Sequence, residues 1–163
     1  MTFQIIDRVD LTSSASSLTF SGIPQTYQSL QVGLSWNNPG GAAPTVKVTF
    51  NGDSGANYWY LAIRQNQNTD AQSSQTAIRV GITDSQAGAG RLTLDMIDYS
   101  ESSTYKTLIS SCQSMTQLGT QAINFCGGGT WANTNPITSI TILFDGGSMA
   151  AGTVAVLYGF VGG

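Results

Sequence analysis

Val46-Lys47-Val48-Thr49-Phe50 decides how the rest of the chain is read. Its apolar side chains fall on every second residue, with Lys47 and Thr49 between them, and a period of two marks a strand buried on one face. The same alternation returns in Ile78-Arg79-Val80-Gly81-Ile82, in Arg91-Leu92-Thr93-Leu94-Asp95-Met96 and in Thr138-Ser139-Ile140-Thr141-Ile142-Leu143-Phe144. Val154-Ala155-Val156-Leu157-Tyr158-Gly159-Phe160 is apolar at both parities, which predicts a strand covered on both sides. Further strands are expected near 3–9, 17–23, 28–36, 57–65, 105–112 and 120–126.

Between these segments lie turn formers: Asn37-Asn38-Pro39-Gly40-Gly41, Asn51-Gly52-Asp53-Ser54-Gly55, Ala87-Gly88-Ala89-Gly90, Gly127-Gly128-Gly129 and Asp145-Gly146-Gly147. Gly and Asn tolerate the positive φ that tight connections require. Helix has little support, since Glu occurs once, at Glu101, and no stripe of helical period runs uninterrupted. About ten short strands with turns every 8–12 residues predict an all-β chain. The expected architecture is a single antiparallel β-sandwich over residues 1–163, jelly-roll-like, with 1–11 either an N-terminal arm or the first strand.

Composition narrows the function. The chain has 163 residues with 19 Gly, 6 Lys+Arg, 9 Asp+Glu and no His, and charged residues make up 9%, against about a quarter in an ordinary domain. Six dispersed cations supply no basic patch for a phosphate backbone, so no nucleic-acid partner is expected. Without His, the Ser-His-Asp and Cys-His arrangements of nucleophilic catalysis cannot be built. No apolar run approaches the roughly 18 residues of a membrane-spanning helix. The opening Met1-Thr2-Phe3-Gln4-Ile5-Ile6-Asp7-Arg8 puts charges where an export signal needs an apolar stretch.

Each candidate site has a plainer reading beside it. Cys112 and Cys126 are equidistant from Gly119, so a hairpin turning there would bring the thiols face to face; otherwise they are two small buried hydrophobes. Two Cys without His cannot make a structural zinc site, and no cofactor is expected. Asp95 and Asp98 are close in sequence, but residues three apart on a strand point to opposite faces. A hydrolase would need Asp95 to converge with Asp53 or Asp145, and the chain is not expected to be an enzyme. The oxygens of Asn51-Gly52-Asp53-Ser54-Gly55 read as a turn before they read as a Ca²⁺ loop. Trp36 and Trp131 border Gly/Asn loops, and Asn57-Tyr58-Trp59-Tyr60 puts three rings in a row. Exposed Trp and Tyr anchor interfaces or stack on sugars, yet at least one of Trp36, Trp59 and Trp131 is expected inside the core.

Several blocks together resemble a β-sandwich domain that recurs in virion proteins of tailed bacteriophages. The run from Leu11 to Val32 is similar to that domain's opening. Then come Phe50-Asn51-Gly52-Asp53-Ser54-Gly55-Ala56-Asn57-Tyr58, Asp95-Met96-Ile97-Asp98-Tyr99 with Tyr105-Lys106-Thr107, Ile137-Thr138-Ser139-Ile140-Thr141, and the closing stretch from Ala150 to Phe160. The resemblance spans about Phe3 to Phe160 and carries no catalytic motif. It implies a virion component, on the head or on a tail appendage.

A chain with nothing before or after the domain favours a head-decorating, or cement, protein over a tail-fibre module that recognises carbohydrate receptors. The implied partners are the major capsid protein and other copies of the chain, with a homotrimer favoured. The implied location is the outer surface of the head, after assembly in the host cytoplasm. Expected interface residues are Phe3, Ile5 and Ile6 of the N-terminal segment, Phe160 of the doubly apolar strand, and the loop-edge Trp36 and Trp131.

Overall fold

A computed structural model describes residues 2–64, 69–83, 88–116 and 122–162. Every regular element among them is a strand: β1 (Thr2–Asp10), β2 (Ser17–Ser21), β3 (Ser29–Asn38), β4 (Thr45–Phe50), β5 (Tyr58–Arg64), β6 (Asp70–Gln75), β7 (Ile78–Ile82), β8 (Gly88–Ile97), β9 (Lys106–Thr116), β10 (Ala122–Trp131), β11 (Ser139–Asp145) and β12 (Val154–Val161). They form two antiparallel sheets, one of eight strands in the order β1-β12-β3-β8-β9-β10-β5-β6 and one of four in the order β2-β11-β4-β7.

That order is a jelly roll with an extension. β1-β12-β3-β8 faces β2-β11-β4-β7, the two four-stranded sheets of a double Greek key. The remaining strands come from two separate insertions. β5 and β6 lie in the connection from β4 to β7, and β9 and β10 in the connection from β8 to β11. The insertions zip together beside β8 and double the width of the first sheet.

β4, β8 and β11 bury one parity, as their sequence predicts, whereas in β7 the alternation breaks where the β4–β7 register shifts, so Gly81 is buried and Ile82 only half-buried. Val46, Val48 and Phe50 of β4, Ile140, Ile142 and Phe144 of β11, and Leu92, Leu94 and Met96 of β8 all join one core between the sheets. β12 departs from expectation: Ala155 and Leu157 are buried, but Val154, Val156, Tyr158 and Phe160 are only half covered. Its second apolar parity lies on the outer face of the sheet, where Phe3 packs edge-on to Tyr158 at 5.8 Å between ring centroids.

Two turn expectations fail for one reason. Gly127, Gly128 and Gly129 lie inside β10, and Gly88 and Gly90 begin β8. A side chain at Gly129 would come 2.6 Å from the Trp59 carbonyl oxygen, and one at Gly90 2.1 Å from the Trp36 ring. These glycines admit close neighbours and do not reverse the chain.

β6 was not anticipated, because Asp70-Ala71-Gln72-Ser73-Ser74-Gln75 is a polar edge strand with no buried face to leave a pattern. The cysteines also fall out of step. Phe125 pairs with Cys112, and Cys126 with Ser111. One residue of register sends side chains to opposite faces, so Cys112 is buried, Cys126 is exposed and both are free thiols. Gly119, the expected hairpin centre, lies outside the described residues.

Candidate functional site

The outer face of the eight-stranded sheet carries an exposed apolar surface whose layout follows from strand register. One row of outward side chains crosses the sheet as Trp59, Thr130, Thr107, Ile97, Ser29, Phe160 and Phe3. The adjacent row reads Leu61, Gly128, Ile109, Asp95, Gln31, Tyr158 and Ile5. Ile109 is 70% exposed, Phe3 63% and Trp59 38%, and Ile5, Leu61, Ile63 and Ile97 also face solvent. Exposed apolar side chains clustered in this way, here on the two flanks of the face, mark an interaction site more often than chance exposure.

Gly128 shapes the middle of the inserted strands. With no side chain between Leu61 and Ile109, it leaves an open groove of about 440 Å³ walled by Trp59, Leu61 and Thr107. Polar groups on the face lie nearer its centre, where Gln31 donates to Asp95 at 2.7 Å. At the β1 edge Arg8 pairs with Asp10 at 2.7 Å, two residues along the same strand.

Phe3 and Ile5, which the sequence put forward as interface residues, are exposed on this face, and Phe160 lies half-buried beside Phe3. Ile6 is the extra residue where the β1–β12 register shifts between Ile5 and Asp7, and it packs against the core. Trp36 and Trp131 are corrections: they are 2% and 1% exposed and present nothing to a partner. Trp36 packs edge-on to Phe144 at 5.5 Å, and Trp131 stacks on Tyr58. Trp131 ends the inward parity of β10, and Trp36 is the last apolar residue on the inward parity of β3, ahead of the buried Asn38. Leu61, Ile63, Ile97 and Ile109 were missed, although Tyr58-Trp59-Tyr60-Leu61-Ala62-Ile63 is apolar at both parities and so forecasts an apolar outer face.

The carboxylates are engaged one at a time. Asp53 accepts from the Trp131 indole at 2.7 Å, from Asn57 at 3.0 Å and from the Gly55 backbone N–H at 2.8 Å. Asn51 and Gly52 both have positive φ, and the Asp53 N–H donates to the Phe50 carbonyl, so the segment is a turn closed by its own donors. Asp145 pairs with Lys47 on the outer face of the small sheet, whereas Asp95 is on the outer face of the large one. Asp98 sits in a turn with φ 53°. The carboxylates proposed for hydrolysis therefore do not converge. Lys106 is buried, and its ammonium donates to the carbonyls of Glu101, Thr104 and Thr134.

No family model and no curated protein matches the chain. Among solved structures, a galectin from Caenorhabditis elegans is 10% identical with TM-score 0.39, over 92% of this chain and 94% of that one. An exo-inulinase from Aspergillus awamori is 11% identical with TM-score 0.30, and an engineered GH43 glycoside hydrolase is 9% identical with TM-score 0.33. This chain spans 29% and 35% of those two enzymes. At these scores the likenesses carry nothing about ligand or activity.

Proposed function

We propose that this chain is a viral structural protein that binds the assembled head of a tailed phage as a homo-oligomer and stabilises it. The supporting observation is the apolar outer face of the eight-stranded sheet, which bears on the homo-oligomer, on a chain with few charges. A protein that binds the closed shell but not its free subunits stabilises the shell by linkage, by about 2.7 kcal/mol per site at a hundredfold excess over Kd. Repeated over many symmetry-related sites, that resists the outward pressure of packaged DNA. An oligomer adds avidity, since its second contact forms at high effective concentration.

Quantitative mass spectrometry of purified virions tests this directly. Copies in simple ratio to the major capsid protein are expected, and absence from the virion would overturn the proposal.

The second reading is a carbohydrate-recognising tail module. It is favoured by Trp59, whose exposed ring borders the Gly128 groove beside the Thr107 and Thr130 hydroxyls. It predicts a few copies per virion, and saccharide binding that disappears on Trp59→Ala.

A further inference from the structure

β5 and β1 are each three strands from β8, on opposite sides of it. Register places Trp59 and Phe3 in the row of Ile97, and Leu61 and Ile5 in the row of Asp95. The outer face is thus arranged symmetrically about β8, with an aromatic and an aliphatic side chain at matching positions on either flank.

We propose that a second copy of this chain covers the outer face, related by a two-fold axis running along β8. Such an axis turns the sheet over and exchanges its flanks, keeping each row opposite itself. Trp59 of one copy then lies on Phe3 of the other and Leu61 on Ile5, each contact made twice, while Ile97 meets its own counterpart. In the second row Gly128 is two strands from β8 on one side and Tyr158 two strands on the other. The Tyr158 ring of each copy therefore faces the groove over the partner's glycine. Face-to-face packing of twisted sheets is an established mode of association, with layers about 10 Å apart.

The available area suits a stable dimer. Eight apolar side chains in these two rows, partly to largely exposed, offer on the order of 800 Å² per copy, which is the share of one partner in a standard interface. A second copy suits this face because, besides the matched pairs at the outer positions, Phe160 and Tyr158 on one flank oppose the smaller Thr130 and Gly128 on the other in the same rows. Charge locates the contact. Asp95 and Arg91 lie on the axis strand, and each opposes its own counterpart, so the contact centres on the Ile97 end of β8 and Asp95 works against it.

The two-fold differs from the homotrimer expected from the sequence, and sedimentation equilibrium separates the two. It does not depend on the virion reading, because it is measured on the purified chain.

Sedimentation equilibrium over a wide concentration range is expected to give a monomer–dimer equilibrium. Leu61→Asp, which loses two contacts per dimer, raises the dissociation constant about a hundredfold or more while the circular dichroism stays unchanged. Asp95→Asn lowers it severalfold. In a Cys126→Ser background, mixing Ile5→Cys with Leu61→Cys gives an intermolecular disulfide that neither variant forms alone, and this readout survives if the charged variant fails to fold. A monomer at sub-millimolar concentration, a trimer, or a dimer indifferent to all of these substitutions would overturn the proposal, whatever the virion experiment shows.

Discussion

The Trp131 indole N–H donates to an Asp53 carboxylate oxygen at 2.7 Å, tying β10 of one insertion to the turn that opens the other. Asn57 and the Gly55 N–H complete the set. Hydrogen bonds to a charged acceptor contribute about 1.5–3 kcal/mol each, not fully additively, so Asp53→Ala is expected to cost about 2–4 kcal/mol in urea unfolding.

The same contact gives a pH dependence. The Trp131 bond, then those of Asn57 and Gly55, hold the Asp53 carboxyl below its ordinary value of 3.8, with burial opposing them. Around pH 4 the unfolded chain then binds more protons than the folded one, so stability rises with pH there. The contribution is complete above about pH 5 and is lost as pH falls through the folded-state value. As pH falls between those limits, the stability of the wild type should drop more than that of Asp53→Asn.

Gly90→Ala should destabilise the fold although it adds one methyl group. The new carbon would lie 2.1 Å from Trp36, whose ring is already fixed against Phe144. Overpacking of this kind costs about 1–3 kcal/mol, and each kcal/mol lowers Tm by about 2–4 °C at this chain length.

Lys106→Met keeps the length of the side chain and removes its donors, leaving the carbonyls of Glu101, Thr104 and Thr134 without the ammonium. A loss of about 3 kcal/mol or more is expected. Hydrogen exchange should show the turns at 98–105 and 132–137 loosening before the sheets do.

Thiol labelling separates the cysteines. Burial pushes the Cys112 thiol up to about 11, with the Ile82 carbonyl contact and Cys126 as lesser influences. All native-state labelling is expected at Cys126, is removed by Cys126→Ser, and reaches Cys112 only in denaturant.

Most of the frame was legible in the sequence because burial on one face leaves a trace every second residue. β4, β7, β8 and β11 announce themselves in this way. β6 buries no face and left no trace. The glycines of β10 were misread because a glycine that makes room for a neighbour looks the same as one that turns the chain. For the site, Phe3 and Ile5 could be read from their own segment, whereas Leu61, Ile109 and Gly128 become one surface only through pairings between distant strands. Trp36 and Trp131 were misplaced because nearness to a loop in sequence does not set which way a ring points.

β12 lies between β1 and β3, so Thr2 pairs with Val161 and Ser29 with Phe160. On the ribosome, β1 waits for almost the whole chain before it has any partner in its sheet. The jelly roll therefore cannot close progressively from the N-terminal side, because this part of the sheet needs one late strand to enter a gap flanked by early ones. Until then Phe3 and Ile5 remain on an unpaired strand, so two of the side chains proposed to join copies are open to premature association while the protein is being made.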